Sequence, residues 1–166
     1  MPGKCRAAES RPASLEEETR TVIEEARIVL PGIQAVFGFQ LIAVFNNGFH
    51  GLMPSEQRMH LIALILTMIA IALIMTPASY HRIAEKGTVS RRFVEIASRL
   101  LAWAMLPLAL GMTVDLFLVA RLVLNNVTLS IGIATVLLFV FFGLWYVLPW
   151  IERRFNRSRS SPRTEE

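Results

Sequence analysis

Four long apolar runs, set apart by polar segments, give this 166-residue chain its plan. The runs cover residues 28–45, 60–80, 100–120 and 129–150. Each approaches the roughly 20 residues that a helix needs to cross a hydrocarbon layer about 30 Å thick. The pattern predicts an all-α integral membrane protein, a four-helix bundle made of two helical hairpins. Amphipathic helical extensions precede helices 1 and 3. In the first, residues 14–27, Leu15, Val22, Ile23 and Ala26 face one way and the charges the other, as in a helix at or rising from the membrane surface. Ser14 with Glu17 three residues on reads as its capping box, and Glu16, Glu17 and Glu18 suit the positive end of the helix dipole. Pro31 marks the expected joint between surface helix and crossing helix. The second extension, residues 89–100, starts from Thr88 or Ser90.

The connections fit the same plan. Residues 46–56 hold Asn46, Asn47, Gly48, Gly51 and Pro54, a turn-forming set for a tight connection, and Ser55 is placed to cap the second crossing. Residues 125–128 make the other short turn. Each connection opens on an Asn pair (Asn46 and Asn47, Asn125 and Asn126), so the two halves share a plan, through duplication or through convergence on a generic membrane hairpin. Residues 1–13 read as a disordered leader, 14–152 as the membrane domain and 153–166 as a basic disordered tail.

Charge adds orientation. Fifteen of the seventeen Lys and Arg residues fall in residues 1–27, 82–99 and 153–166, and the other two connections keep only Arg58 and Arg121. Segments retained in the cytoplasm keep positive charge, so both termini are expected inside. The net charge of +4 then speaks for anionic inner-leaflet lipids as partners, and not for nucleic acid. Trp145, Tyr146, Trp150 and Tyr80 sit where an interfacial aromatic belt is expected. The first 27 residues lack the apolar core of a signal peptide. Cys5, the sole cysteine, can form no internal disulfide.

Candidate chemistry is sparse. Asp115 is the one acid inside an expected crossing, roughly 22 Å along the third helix at 1.5 Å per residue. A carboxylate there needs a partner, because an unpaired one costs on the order of 2.5–3.5 kcal/mol at a helix centre. Gly111, one turn away, lets that face approach another helix closely. Gln40 and Asn47, on one face of the first helix, are candidate partners, as are Arg58, His60 and Arg121. Such a cluster could be a proton or cation site, or polar glue between helices. Gln34 and Gln40 point in different directions. His60 and His81 stand roughly 31 Å apart along one helix, too far to share a metal, and His50 and His60 lack a third ligand. No metal, haem or other cofactor is expected. No nucleophile–base pair or phosphate-cradling loop appears, so no enzymatic activity is expected either.

Three stretches carry a resemblance: Arg27 to Gln34 with Pro31 and Gln40 beyond it, Glu56 to His60, and Pro77 to Arg82 with Tyr80 and His81. Together they resemble a bacterial family of small four-helix inner-membrane proteins that bears a domain-of-unknown-function title, some of whose members are labelled sodium:proton antiporter. The resemblance implies a bacterial inner-membrane location and assigns no site residue. Four helices with one off-centre acid are few for an antiporter, which would need a pathway built between protomers. The expectation is a multi-pass protein without enzymatic activity, an oligomeric scaffold or an accessory part of a larger membrane complex. The alternative is a proton-linked or cation transporter using Asp115.

Overall fold

The computed structural model describes residues 15–84 and 90–159. All regular structure among them is helical, without a strand. Four segments are long and apolar enough to cross a membrane: Glu17–Ala43, Pro54–Ile83, Arg91–Leu124 and Val127–Glu152.

Helix α1, Leu15–Ala43, is unbroken, with Pro31 inside it. The joint expected at Pro31 is therefore absent. A proline removes one ladder hydrogen bond, but breaking the helix in lipid would strand several more backbone groups. Nor does the first amphipathic stretch stand apart: Val22 packs against Phe93 and Val94, and Ala26 against the main core. Part of its apolar face thus packs against other helices, and the stretch continues directly into the crossing helix. The capping box at Ser14 and the leader lie outside the described residues.

The first connection contains a short helix, α2 (Asn47–His50), whose cap Asn46 accepts a hydrogen bond from Gly48 N at 3.3 Å. Helix α3, Pro54–Ala84, starts earlier than the apolar run suggests. Proline fits a first helical position, where its missing N–H costs nothing. Glu56 Oε2 accepts from Met53 N at 2.9 Å, the back-reaching half of a capping box, so Ser55 lies within the helix instead of capping it.

Helix α4, Arg91–Leu124, fuses the second amphipathic stretch with the third crossing. Ser90 caps it, accepting from Phe93 N at 3.2 Å, while Thr88 lies outside the described residues. Asn125 ends it in the left-handed conformation (φ 49°), with its Oδ1 accepting from Arg121 Nη1 at 3.0 Å. Asn126 then caps α5, Val127–Phe142, through Leu129 N. A π-helical turn, Gly143–Val147, joins α5 to α6, Leu148–Arg159. The wider turn falls just before Pro149, which has no N–H for a regular ladder. It presents Tyr146, whose hydroxyl donates to Ala102 O at 3.1 Å. Helix α6 reaches Arg159, past the boundary at 152, and stacks Arg154 on Trp150 at 3.9 Å. Residues 160–166 of the expected tail lie outside the described residues.

Helices α3 and α4 share the most extensive interface and run in opposite directions, His60 meeting Asp115 and Tyr80 meeting Phe93. Small residues make it close. Ala63, Thr67 and Ala70 on α3 and Ala97 and Ala104 on α4 are fully buried. A Cβ on Gly111 would stand 3.0 Å from Ala63 O and 3.1 Å from Thr67 Oγ1. Such residues let helices approach in lipid, where packing and not water exclusion holds them. Ile33, Ile74 and Leu108 complete the central layer. Large apolar side chains such as Ile28, Phe39, Trp103 and Phe139 point outward.

Candidate functional site

The sequence places three polar side chains on buried helix faces, and the packing brings them together. His60 precedes Ala63 and Thr67 on the α3 face that meets α4. Asp115 follows Ala104, Leu108 and Gly111 on the reciprocal face. The tight Gly111 contact therefore sets the depth at which the imidazole and carboxyl meet. Gln40 reaches them from α1.

The bonds close on one another. His60 Nδ1 lies 3.1 Å from Asp115 Oδ1, and His60 Nε2 lies 2.9 Å from the main-chain oxygen of Gln40. Gln40 Nε2 donates to Asp115 Oδ2. Gln40 and His60 are buried, and the Asp115 side chain is 21% exposed. A carbonyl oxygen only accepts, so Nε2 carries hydrogen. The Nδ1–Oδ1 contact then requires one more proton, either on the imidazole, making an ion pair, or on the carboxyl, making a neutral pair. In both forms His60 and Asp115 together bear no net charge, which is the inexpensive way to bury them.

The Phe49 and His60 rings meet in a T-shaped contact, with centroids 5.3 Å apart. Gln57 Nε2 donates to Phe49 O at 3.2 Å, tying α2 to α3. Alongside lies a cavity of about 460 Å³, walled by Phe39, Phe49 and Leu122 and reached by Gln40, His60 and Asp115. Gln40 Oε1 is buried without a hydrogen-bond partner among the described residues. Towards the basic end the next layer is closed. Thr67 Oγ1 turns back to Ala63 O at 3.1 Å, and Ala70, Ile74, Ala104 and Leu108 fill the space beyond.

Three of the six candidate residues thus meet, and three do not. Asn47 is exposed at the start of α2. Arg58 is exposed and donates to Pro54 O of its own helix at 3.2 Å. Arg121 pairs instead with Glu56 at 3.6 Å. Glu56, named in the sequence only within the family-like stretch, is buried in an unforeseen dual role as cap and counter-ion. Its signal was the Pro54 start two residues before it. At the other end of α3, Arg27, Pro77, His81 and Arg82 line a second cavity, while Tyr80 stacks on Phe93 at 6.0 Å. Pro31 and Gln34 are exposed on α1.

A model for a family of unknown function (DUF6328) matches residues 8–149. The chain belongs to this family. The match spans all three residues of the polar cluster and the residues that line the second cavity. No curated protein and no solved structure matches the chain.

Proposed function

We propose that the protein is a multi-pass component of a bacterial inner membrane, with both termini cytoplasmic. Its two helical hairpins form a scaffold or an accessory part of a membrane assembly, with neither enzymatic nor transport activity of its own. The observation that carries this reading is the closure of the Asp115 site. Gln40 and His60 complete the carboxyl from within the chain, and the Ala63–Thr67–Gly111 layer separates it from the basic end. A transported proton or cation needs polar stations along its route. Between the cluster and the basic end the core offers Ala, Ile and Leu, together with a Thr67 hydroxyl already bonded to its own helix. On this reading the cluster locks α1, α3 and α4 at one depth. The outward apolar surfaces of α1 and α5 meet lipid or the helices of partners.

A second reading, a proton-linked or cation transporter, draws on one specific feature: the cavity beside Asp115, which Gln40 and His60 also line. Flux measurements separate the two. The purified protein is reconstituted into liposomes holding a pH-sensitive dye, and a proton or sodium gradient is imposed. Wild type and Asp115→Asn should both match protein-free liposomes. Flux above that background that Asp115→Asn loses would overturn the scaffold reading in favour of transport.

A further inference from the structure

The second cavity has no task in that account. It measures about 550 Å³ and lies between α1 and α3 at the basic end, with Phe93 and Leu101 of α4 at its back. Three nitrogen-bearing side chains reach it: Arg27 from α1, and His81 and Arg82 from α3. Neither arginine has an ion-pair partner among the described residues. His81 Nδ1 is buried and unpartnered among them, while the His81 ring is held against Phe93 with centroids 5.4 Å apart. Leu30, Ile74 and Met75 make the remaining wall apolar.

A cleft with a cationic mouth and an apolar body complements an amphiphile with an anionic head. Guanidinium groups match the oxygens of a phosphate in pairs. Basic pockets between membrane helices on the cytoplasmic side suit acidic headgroups. A free inorganic anion would leave the apolar wall unused, and a zwitterionic headgroup would bring its own cation to two arginines. We propose that this cleft binds one anionic phospholipid. Its phosphate sits among Arg27, His81 and Arg82, and the start of an acyl chain lies along Leu30, Ile74 and Met75. The proposal rests on the membrane reading of the chain and is independent of whether Asp115 supports transport.

Native mass spectrometry of the full-length protein in detergent, stripped of lipid and then titrated, tests it. The titrants are phosphatidylglycerol, phosphatidylcholine and inorganic phosphate in separate arms. One phosphatidylglycerol should be retained, phosphatidylcholine should not, and millimolar phosphate should leave the lipid in place. The double variant Arg27→Gln/Arg82→Gln should bind phosphatidylglycerol roughly 30-fold more weakly, from roughly 5-fold per basic residue near the surface. Both arginines are exposed, so the packed core is untouched. His81→Phe, which keeps the ring and removes the donor, should give a smaller loss, and Arg58→Gln at the other end none. Equal retention of phosphatidylcholine, an unchanged double variant, or displacement of the lipid by phosphate would each overturn the proposal. A chain that stayed soluble without detergent would instead remove the membrane reading beneath it.

Discussion

Asp115 shows how a single residue forces its surroundings. Its position within an apolar run made a partner obligatory, and that much was legible in the sequence. Which partner was not. Gln40, Asn47, Arg58, His60 and Arg121 all lay within plausible reach, and only the packing of Gly111 against Ala63 selects His60. Arg121 was lost to Glu56, an acid outside the apolar run and so passed over. The pairing has a testable asymmetry. Removing one member of a buried pair leaves the other stranded, whereas removing both does not. His60→Leu should lower unfolding stability in detergent by about 1–3 kcal/mol. Asp115→Asn, which keeps a polar partner for both neighbours, should cost less. The double variant His60→Leu/Asp115→Leu should recover part of the His60→Leu loss. Denaturant titrations of the four proteins form the cycle, and strictly additive losses would show that the pair is not coupled.

At the scale of elements, the four apolar runs forecast four long helices because lipid leaves a spanning segment no other way to satisfy its backbone. Their ends were less legible. Hydropathy marks where a chain is apolar, whereas caps decide where a helix starts. Thus Pro54 with Glu56 begins α3 well before the apolar run, and α1 passes through Pro31 without stopping. The amphipathic stretches were recognised as helical, the first as lying at or rising from the membrane surface, but their packing partners were not legible. Nothing in one helix's pattern says that Val22 will meet Phe93 on another. The α3–α4 contact supplies a second prediction. Gly111→Ala would press a Cβ onto Ala63 O at 3.0 Å, so it should destabilise by about 1–3 kcal/mol. Gly132→Ala, with nothing within 4 Å, should be neutral or stabilise by up to about 1 kcal/mol through helix propensity. Thermal unfolding in one detergent compares the two. If Gly111→Ala behaved like Gly132→Ala, the close approach of α3 and α4 would be refuted.

Over the whole molecule, the alternation of basic and nearly uncharged segments matches the two ends of the packed helices. Arg27, Arg82 and Arg91 lie at one end, and Asn46, Asn126 and the short α2 at the other. The polar cluster belongs to the asparagine end and the cationic cleft to the basic end, with a closed apolar layer between them. Both the lock and the lipid site depend on these ends facing opposite sides of a bilayer. Side-resolved labelling addresses that most directly. In a Cys5→Ser background, single cysteines replace Asn46, Ser90 and Asn126, and sealed right-side-out membranes are treated with a membrane-impermeant thiol reagent. Asn46→Cys and Asn126→Cys should react at once, and Ser90→Cys only after the membrane is permeabilised. Prompt labelling of Ser90→Cys, or protection of either asparagine position, would contradict the four-crossing arrangement.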